Sequence, residues 1–185
     1  MNQKNLEDTR SALIVKLIDS YSRGLLDPFF STLELHKLLY LMQETGEELS
    51  LNFVNTAIFN GVYSEDLIDI VKKLDGNLIS VTINNENNFD AHLTLFPNAL
   101  NWSDSVLKGN NKTQSNLSKV CWLVSGWESP FGMELLTSVQ WIVTKNYSQK
   151  SMEDLIKIIK KSSENKFSNR QIKLAFNWLN ESGWL

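Results

Sequence analysis

The sequence predicts a mainly α fold, a compact helical domain with one small β-hairpin, from three observations. Three capping boxes mark helix N-termini, and their paired residues are Ser31 with Glu34, Ser151 with Asp154, and Ser168 with Gln171. Apolar residues recur at helical spacing in nearly every other segment. Alternation of apolar and polar residues, which is typical of strands, is confined to residues near 78–95.

The length and composition are those of an ordinary globular protein. The chain has 185 residues, of which 42% are hydrophobic and 21% charged, so we expect residues 1–185 to form a single domain. The net charge is only -3, but it is unevenly distributed. Residues 44–75 carry seven acids against two lysines, whereas residues 145–173 carry eight bases against three acids. This asymmetry favours one surface for a basic partner and another for an anionic partner.

Several function classes lack their sequence signals. One cysteine and two histidines, without companions at ligand spacing, predict neither a disulfide nor a metal site. There is no glycine-rich phosphate loop, no nucleophile elbow and no zinc-protease motif. We therefore expect no enzymatic activity, no catalytic residues and no cofactor. No signal-peptide core or membrane-length apolar run is present, which predicts a cytoplasmic protein without membrane contact.

The first half of the chain reads as three helices, an ambiguous segment and the hairpin. Residues 8–23 form an apolar-striped helix, and a turn at residues 25–30 leads to a helix that Ser31 caps and Gly46 ends. His36 in that helix is interpreted as a core-edge histidine rather than a site residue. Residues 49–59 fit a strand or a short helix. Ser64 is predicted to cap a helix ending at residue 74, and residues 78–83 and 89–95 to form the hairpin around a turn at 84–88.

The second half reads as helices only. Pro97 begins a helix that ends near residue 107, and residues 108–115 are the most loop-like segment of the chain. Residues 116–126 and 130–146 are the central helix pair, with Pro130 at the first helical position of the second. The latter helix is apolar on more than one side, which indicates that its neighbours pack around it. Ser151 and Ser168 then begin the last two helices.

Four blocks resemble the C-terminal domain of the DarG antitoxin family. They are LLDPF at residues 25–29 with LELHKLLYLMQETGE at 33–47, GVYSEDL at 61–67, GWESPFGMELL at 126–136, and GWL at 183–185. The second block is also similar, more distantly, to Panacea-type antitoxin domains. The blocks occur in the family's order and cover most of the chain. One departure is Val62, which stands where the family typically has proline and leaves the backbone before Tyr63 less restricted.

The resemblance implies a helical domain that binds and inhibits DarT, a toxin that ADP-ribosylates thymidine in single-stranded DNA. In the family this domain occupies the toxin's DNA-binding surface by imitating nucleic acid, so we expect a protein partner and no direct nucleic-acid contact. A macrodomain that removes ADP-ribose from DNA precedes this region in full-length family members. No part of this sequence resembles a macrodomain, and we therefore do not expect that hydrolase activity here.

Eight residues are predicted to contact the toxin. Carboxylates can take the place of phosphates, and aromatic rings can fill places where bases would stack. The candidate partner-binding residues are Tyr63, Glu65, Asp66, Asp69, Trp127, Glu128, Phe131 and Glu134. A structural interpretation competes with this one, because Glu65 and Asp66 also lie where acids stabilise a helix N-terminus, and the aromatic residues could be core.

The sequence also fits two other functions. The basic C-terminal helices, between Lys157 and Lys173, resemble the second half of a helix-turn-helix unit, so a DNA-binding regulator is the alternative. An enzyme acting on ADP-ribose is a third hypothesis, and only the macrodomain of full-length family members favours it. Separately, Glu128 and Glu134 flank the Ser-Pro-Phe-Gly turn and could form an acid–base pair, but two carboxylates six residues apart are common by chance.

Overall fold

The computed structural model describes residues 3–24, 30–83, 91–146 and 151–185. Helices dominate these residues, so the prediction of a mainly α class is confirmed. The chain divides into two compact units, each assembled from two separate segments. Unit 1 comprises Met1–Asn52 and Ser64–Trp122, and unit 2 comprises Phe53–Tyr63 and Leu123–Leu185. The assignment of the whole chain to one toxin-binding domain stays a prediction.

The described residues of unit 1 form four helices and the beginning of a fifth. They are α1 (Gln3–Gly24), α2 (Thr32–Glu44), α3 (Asp66–Leu74), α4 (Ala99–Val106) and α5 (Asn111–Val124), which ends in unit 2. Helix α1 packs against α2 and α4, and its apolar stripe, which includes Leu13 and Leu17, is buried. Helix α2 is buried over most of its length, as its apolar sequence predicts.

Unit 1 also contains a three-stranded antiparallel sheet. Its strands are β1 (Phe30–Ser31), β4 (Ile79–Ile83) and β5 (Ala91–Leu95), in the order β1-β5-β4. The pairing of β4 with β5 is the predicted hairpin, with Ile79 opposite Leu95. Strand β1 was not predicted, because two residues are too few to show alternation. Residues 25–29 of the predicted turn at 25–30, and the whole predicted turn at 84–88, lie outside the described residues. Residues 89 and 90, the predicted beginning of the second hairpin strand, lie outside them too.

Unit 2 is built around one helix. Strands β2 (Val54–Thr56) and β3 (Gly61–Tyr63) pair antiparallel across a turn of 3-10 helix, Ala57–Phe59. Residues 49–59, whose sequence fits either a strand or a short helix, therefore contain both a strand and a helical turn. Helix α6 (Pro130–Asn146) packs against β3 and against the last two helices, α7 (Met152–Ser162) and α8 (Asn169–Glu181). The prediction that α6 lies among its neighbours is confirmed within this unit.

The helix termini follow their predicted signals in most places. Complete capping boxes form at Ser31 with Glu34 and at Ser168 with Gln171, and the Ser151 hydroxyl accepts the backbone N–H of Asp154. The predicted loop at residues 108–115 is too long, because α5 already begins at residue 111. The Asn110 side chain accepts the N–H of Thr113 there, so the polar run that suggested a loop is a helix cap.

None of the described helices combines the length and the apolar character that a bilayer crossing requires.

Candidate partner-binding residues

The acidic residues of α3 point away from the core of unit 1. Leu67, Ile70, Val71 and Leu74 form the buried face of this helix. The opposite positions are exposed and include Glu65, Asp66 and Asp69. Asp69 lies 3.8 Å from the ammonium of Lys72, one turn further on. The helical period therefore places these three acids on the outside, in the first turn or just before it.

Asp66 also has a structural role. Its carboxylate accepts the backbone N–H of Asn52 at 2.7 Å, the side-chain amide of Asn52 at 3.0 Å and the Ser64 hydroxyl at 3.4 Å. These hydrogen bonds, the backbone one above all, lower the pKa of Asp66 from its ordinary value. Ser64 thus donates to Asp66, and the prediction that it caps α3 is wrong, since Glu65 is the N-cap residue.

An Asp66→Ala variant should lose about 1 kcal/mol of stability at pH 7, because charge-assisted hydrogen bonds contribute little more than this where solvent screens them. A carboxyl whose folded pKa is lowered stabilises the fold above its unfolded pKa, and this contribution disappears as pH falls through the folded pKa. Urea unfolding of both proteins at pH 7 and at acid pH measures this. Glu65→Ala is the matched control, and an equal loss in it would assign the effect to the helix dipole instead.

His36 connects α2 to the segment that precedes α3. Its buried ring accepts the backbone N–H of Ser64 through Nδ1 at 3.1 Å. Burial, and secondarily the charge of Lys37, lowers the pKa of His36 to about 3. The ring is therefore neutral at ordinary pH, and the interpretation of His36 as a core histidine is confirmed.

The turn before α6 is held by its own hydrogen bonds. The Glu128 carboxylate accepts the N–H of Gly126 at 2.8 Å, and the Ser129 hydroxyl accepts the N–H of Gly132 at 3.0 Å. A Cβ at Gly132 would lie 2.6 Å from the carbonyl oxygen of Trp127, so this close turn depends on glycine. Trp127 and Glu128 are half-buried here.

Phe131 and Glu134 belong to one cluster at the start of α6. The Phe131 ring is 37% exposed and meets the Phe167 ring edge-on at 5.1 Å. The Lys166 ammonium lies 6.0 Å from the Phe131 ring centroid and forms an ion pair with Glu134. Glu134 itself is buried, so its carboxylate is used inside unit 2. The predicted contact of Glu134 with a partner requires an exposed side chain, and Glu134 is buried.

Tyr63 is also buried. Its side chain is 1% exposed and stacks on Phe59 with ring centroids 4.0 Å apart. An aromatic anchor must be accessible, and the strand position of Tyr63 against α6 removes that access. Of the eight candidates, Glu65, Asp66, Asp69 and Phe131 are exposed, and Trp127 and Glu128 are half-buried. Contact of any of them with a partner stays a prediction.

Two residues that matter to these candidates had no sequence signal. Asn52 lies 14 positions before the carboxylate that it contacts, and Lys166 lies 32 positions after Glu134. Neither spacing corresponds to a helix turn or a hairpin. Within the described ranges, no group of three or more His, Cys, Asp or Glu side chains is placed to hold a metal ion.

The sequence is similar to a curated protein over most of its length. No family model matches this sequence. A curated protein of Thermus aquaticus, named DNA ADP-ribosyl glycohydrolase, is 32% identical over 138 residues, which are 75% of this chain and 36% of the relative. The chain thus spans about a third of the length of the curated relative that it matches.

The relative's name overturns one prediction. The prediction that this chain has no enzymatic activity is contradicted, because the relative is named as a hydrolase. The match is consistent with a relation to the DarG family, at the level of the family and not of one particular domain. The chain is therefore similar to a DNA ADP-ribosyl glycohydrolase.

Proposed function

We propose that this chain is the toxin-binding, C-terminal part of a DarG-type antitoxin, distantly similar to Panacea-type domains. It would neutralise a DarT-like DNA ADP-ribosyltransferase in the cytoplasm. Two lines support the proposal, the four sequence blocks and the similarity to a DNA ADP-ribosyl glycohydrolase. The observation that carries it is the exposed acidic start of α3 in unit 1.

Imitation of DNA is the mode of inhibition that this surface fits. A protein that binds DNA presents Lys and Arg side chains to the phosphates. Glu65, the N-cap residue of α3, lies four positions before Asp69, so their carboxylates lie on one exposed face and can accept hydrogen bonds from such side chains. Ile68, between them, is 36% exposed and adds apolar contact area. In unit 2, Phe131 and Trp127 offer aromatic surface where bases would stack.

Charge reversal on α3 tests this proposal. A Glu65→Lys variant that also carries Asp69→Lys should bind the purified DarT-like toxin at least about tenfold more weakly, since like charges would then face each other. Asp66 is left unchanged because it holds Asn52 in place. Isothermal titration calorimetry measures the affinity, and circular dichroism verifies the fold.

The matched control is Glu48→Lys with Glu181→Lys, which changes the net charge equally at exposed positions that do not belong to α3. It should keep the wild-type affinity. Unchanged affinity in the α3 variant, with its fold intact, would refute the assignment of this surface. Equal weakening in both variants would show that only the net charge matters.

A second candidate function is favoured by the name of the relative. The chain would then contribute to the removal of ADP-ribosyl groups from DNA. Incubation of the purified chain with ADP-ribosylated single-stranded DNA, followed by measurement of released ADP-ribose, tests this directly. Release above the uncatalysed rate would support the hydrolase function. The toxin titration is a separate measurement, so each function can fail without the other.

A further inference from the structure

Helix α8 presents a polar and basic face that packs against nothing in the described part of unit 2. Ile172, Ala175 and Leu179 form its buried face, and α8 packs against α6 and α7. The opposite face is exposed and consists of Asn169, Arg170, Lys173, Leu174, Asn177 and Asn180. Residue 170 is three and four positions before 173 and 174, and residue 177 is four and three positions after them, so the four residues share one face of the helix.

The composition of this face distinguishes it from a merely solvated surface. No acidic residue occurs between Asn169 and Asn180. Leu174 is 53% exposed in the middle of the face and adds apolar contact area between Arg170 and Asn177. Arginine and lysine bind phosphates and guanine, asparagine pairs with adenine, and an apolar side chain contacts the thymine methyl group. The face carries side chains that are suited to each of these three kinds of DNA contact.

The charge of unit 2 favours the same ligand. Its segments contain eight Lys and Arg residues against six Asp and Glu residues, whereas those of unit 1 contain ten against fifteen. On α7, Lys157 and Lys161 are exposed and add to the positive potential of this unit. The acidic surface proposed for the toxin and the basic face of α8 therefore belong to different units.

We propose that the exposed face of α8 binds duplex DNA, with the helix lying in the major groove, whose width admits an α-helix. The capping box at Ser168 fixes the beginning of the helix, so that Arg170 is presented from an ordered first turn. This inference goes beyond toxin binding, and it departs from the expectation of no direct nucleic-acid contact.

Fluorescence anisotropy of the full chain with a labelled DNA duplex of mixed sequence tests the proposal. The wild type should bind at low salt and weaken as salt rises. Arg170→Ala combined with Lys173→Ala should weaken binding about tenfold and reduce the slope of log K against log salt by about 2, one phosphate contact for each residue. Leu174→Glu should also weaken binding, since it places an acid against the groove.

The matched control is Lys108→Ala with Lys119→Ala, which removes the same charge from exposed positions of unit 1. It should keep the wild-type affinity and slope. The proposal is overturned if the wild type does not bind at low salt, or if the control loses as much as the α8 variant. Equal competition by polyglutamate would overturn it too, because the face would then recognise any polyanion. Toxin binding should be unchanged in the α8 variants, which keeps this test separate from that of the proposed function.

Discussion

A Gly61→Ala variant should lose about 3 kcal/mol of stability, the largest effect that we expect from any single substitution discussed here. Gly61 follows the left-handed residue Asn60 and has a φ of +101°, which alanine adopts only with strain. A Cβ there would also lie 3.2 Å from Cγ of Glu134 and 3.2 Å from Oγ of Ser138 on α6. The backbone strain and the crowding would both disturb the contact between β3 and α6. Urea unfolding followed by circular dichroism measures the loss.

The control for Gly61 is Gly46→Ala. Gly46 has a similar φ of +89°, but a Cβ there would meet nothing within 4 Å. This variant should lose only the backbone term, about 1 kcal/mol. Equal losses in the two variants would mean that crowding against α6 contributes nothing.

The stability of the protein should fall by about 2 kcal/mol between pH 7.5 and pH 5 because of His36 alone. The folded pKa of His36 is about 3, whereas the ordinary pKa of histidine, which we expect in the unfolded chain, is 6.5. Below pH 6.5 the His36 ring becomes protonated in the unfolded chain but stays neutral in the folded protein. The contribution of His36 to the free energy of unfolding is therefore fully present above pH 6.5 and is lost as the pH falls. Protonation would also remove the Nδ1 acceptor of the Ser64 N–H. Urea unfolding at the two pH values gives the difference.

A His36→Gln variant should show a pH dependence smaller by this amount, since glutamine does not titrate in this range. His92→Gln controls for the replacement of an imidazole by an amide. The loss of stability that His36 causes between pH 7.5 and pH 5 should remain in this variant. An unchanged pH dependence in His36→Gln would show that the ring is protonated in the folded protein as readily as in the unfolded chain.

Local signals predicted most of the helices but fewer of the strands. Ser31, Ser151 and Ser168 mark helix starts because a cap and the helical period act within a few residues of each other. Strand β3 was missed because three residues are too short to show alternation. Its conformation depends on pairing with β2 and on packing against α6, which a single sequence does not display.

The candidate site shows the same division. The outward direction of Glu65 and Asp69 follows from the period of α3, which is a local property. The burial of Tyr63 and Glu134 follows from partners elsewhere in the chain, among them Lys166. Aromatic residues and carboxylates near a turn look alike in sequence whether they are exposed or internal. Their accessibility is decided by packing.

The two-segment construction of unit 2 has a consequence for protein synthesis. All residues of unit 1 have been translated once residue 122 is made, whereas β3, which pairs with β2, packs against α6, which begins at residue 130. Domains fold as their residues emerge, and contacts between distant residues form late. During elongation the segment 53–63 must therefore wait for α6. A nascent chain paused between these points carries Val62 and Tyr63, both buried in the finished fold, without α6, against which their strand packs. This is the stage at which we expect a chaperone to bind.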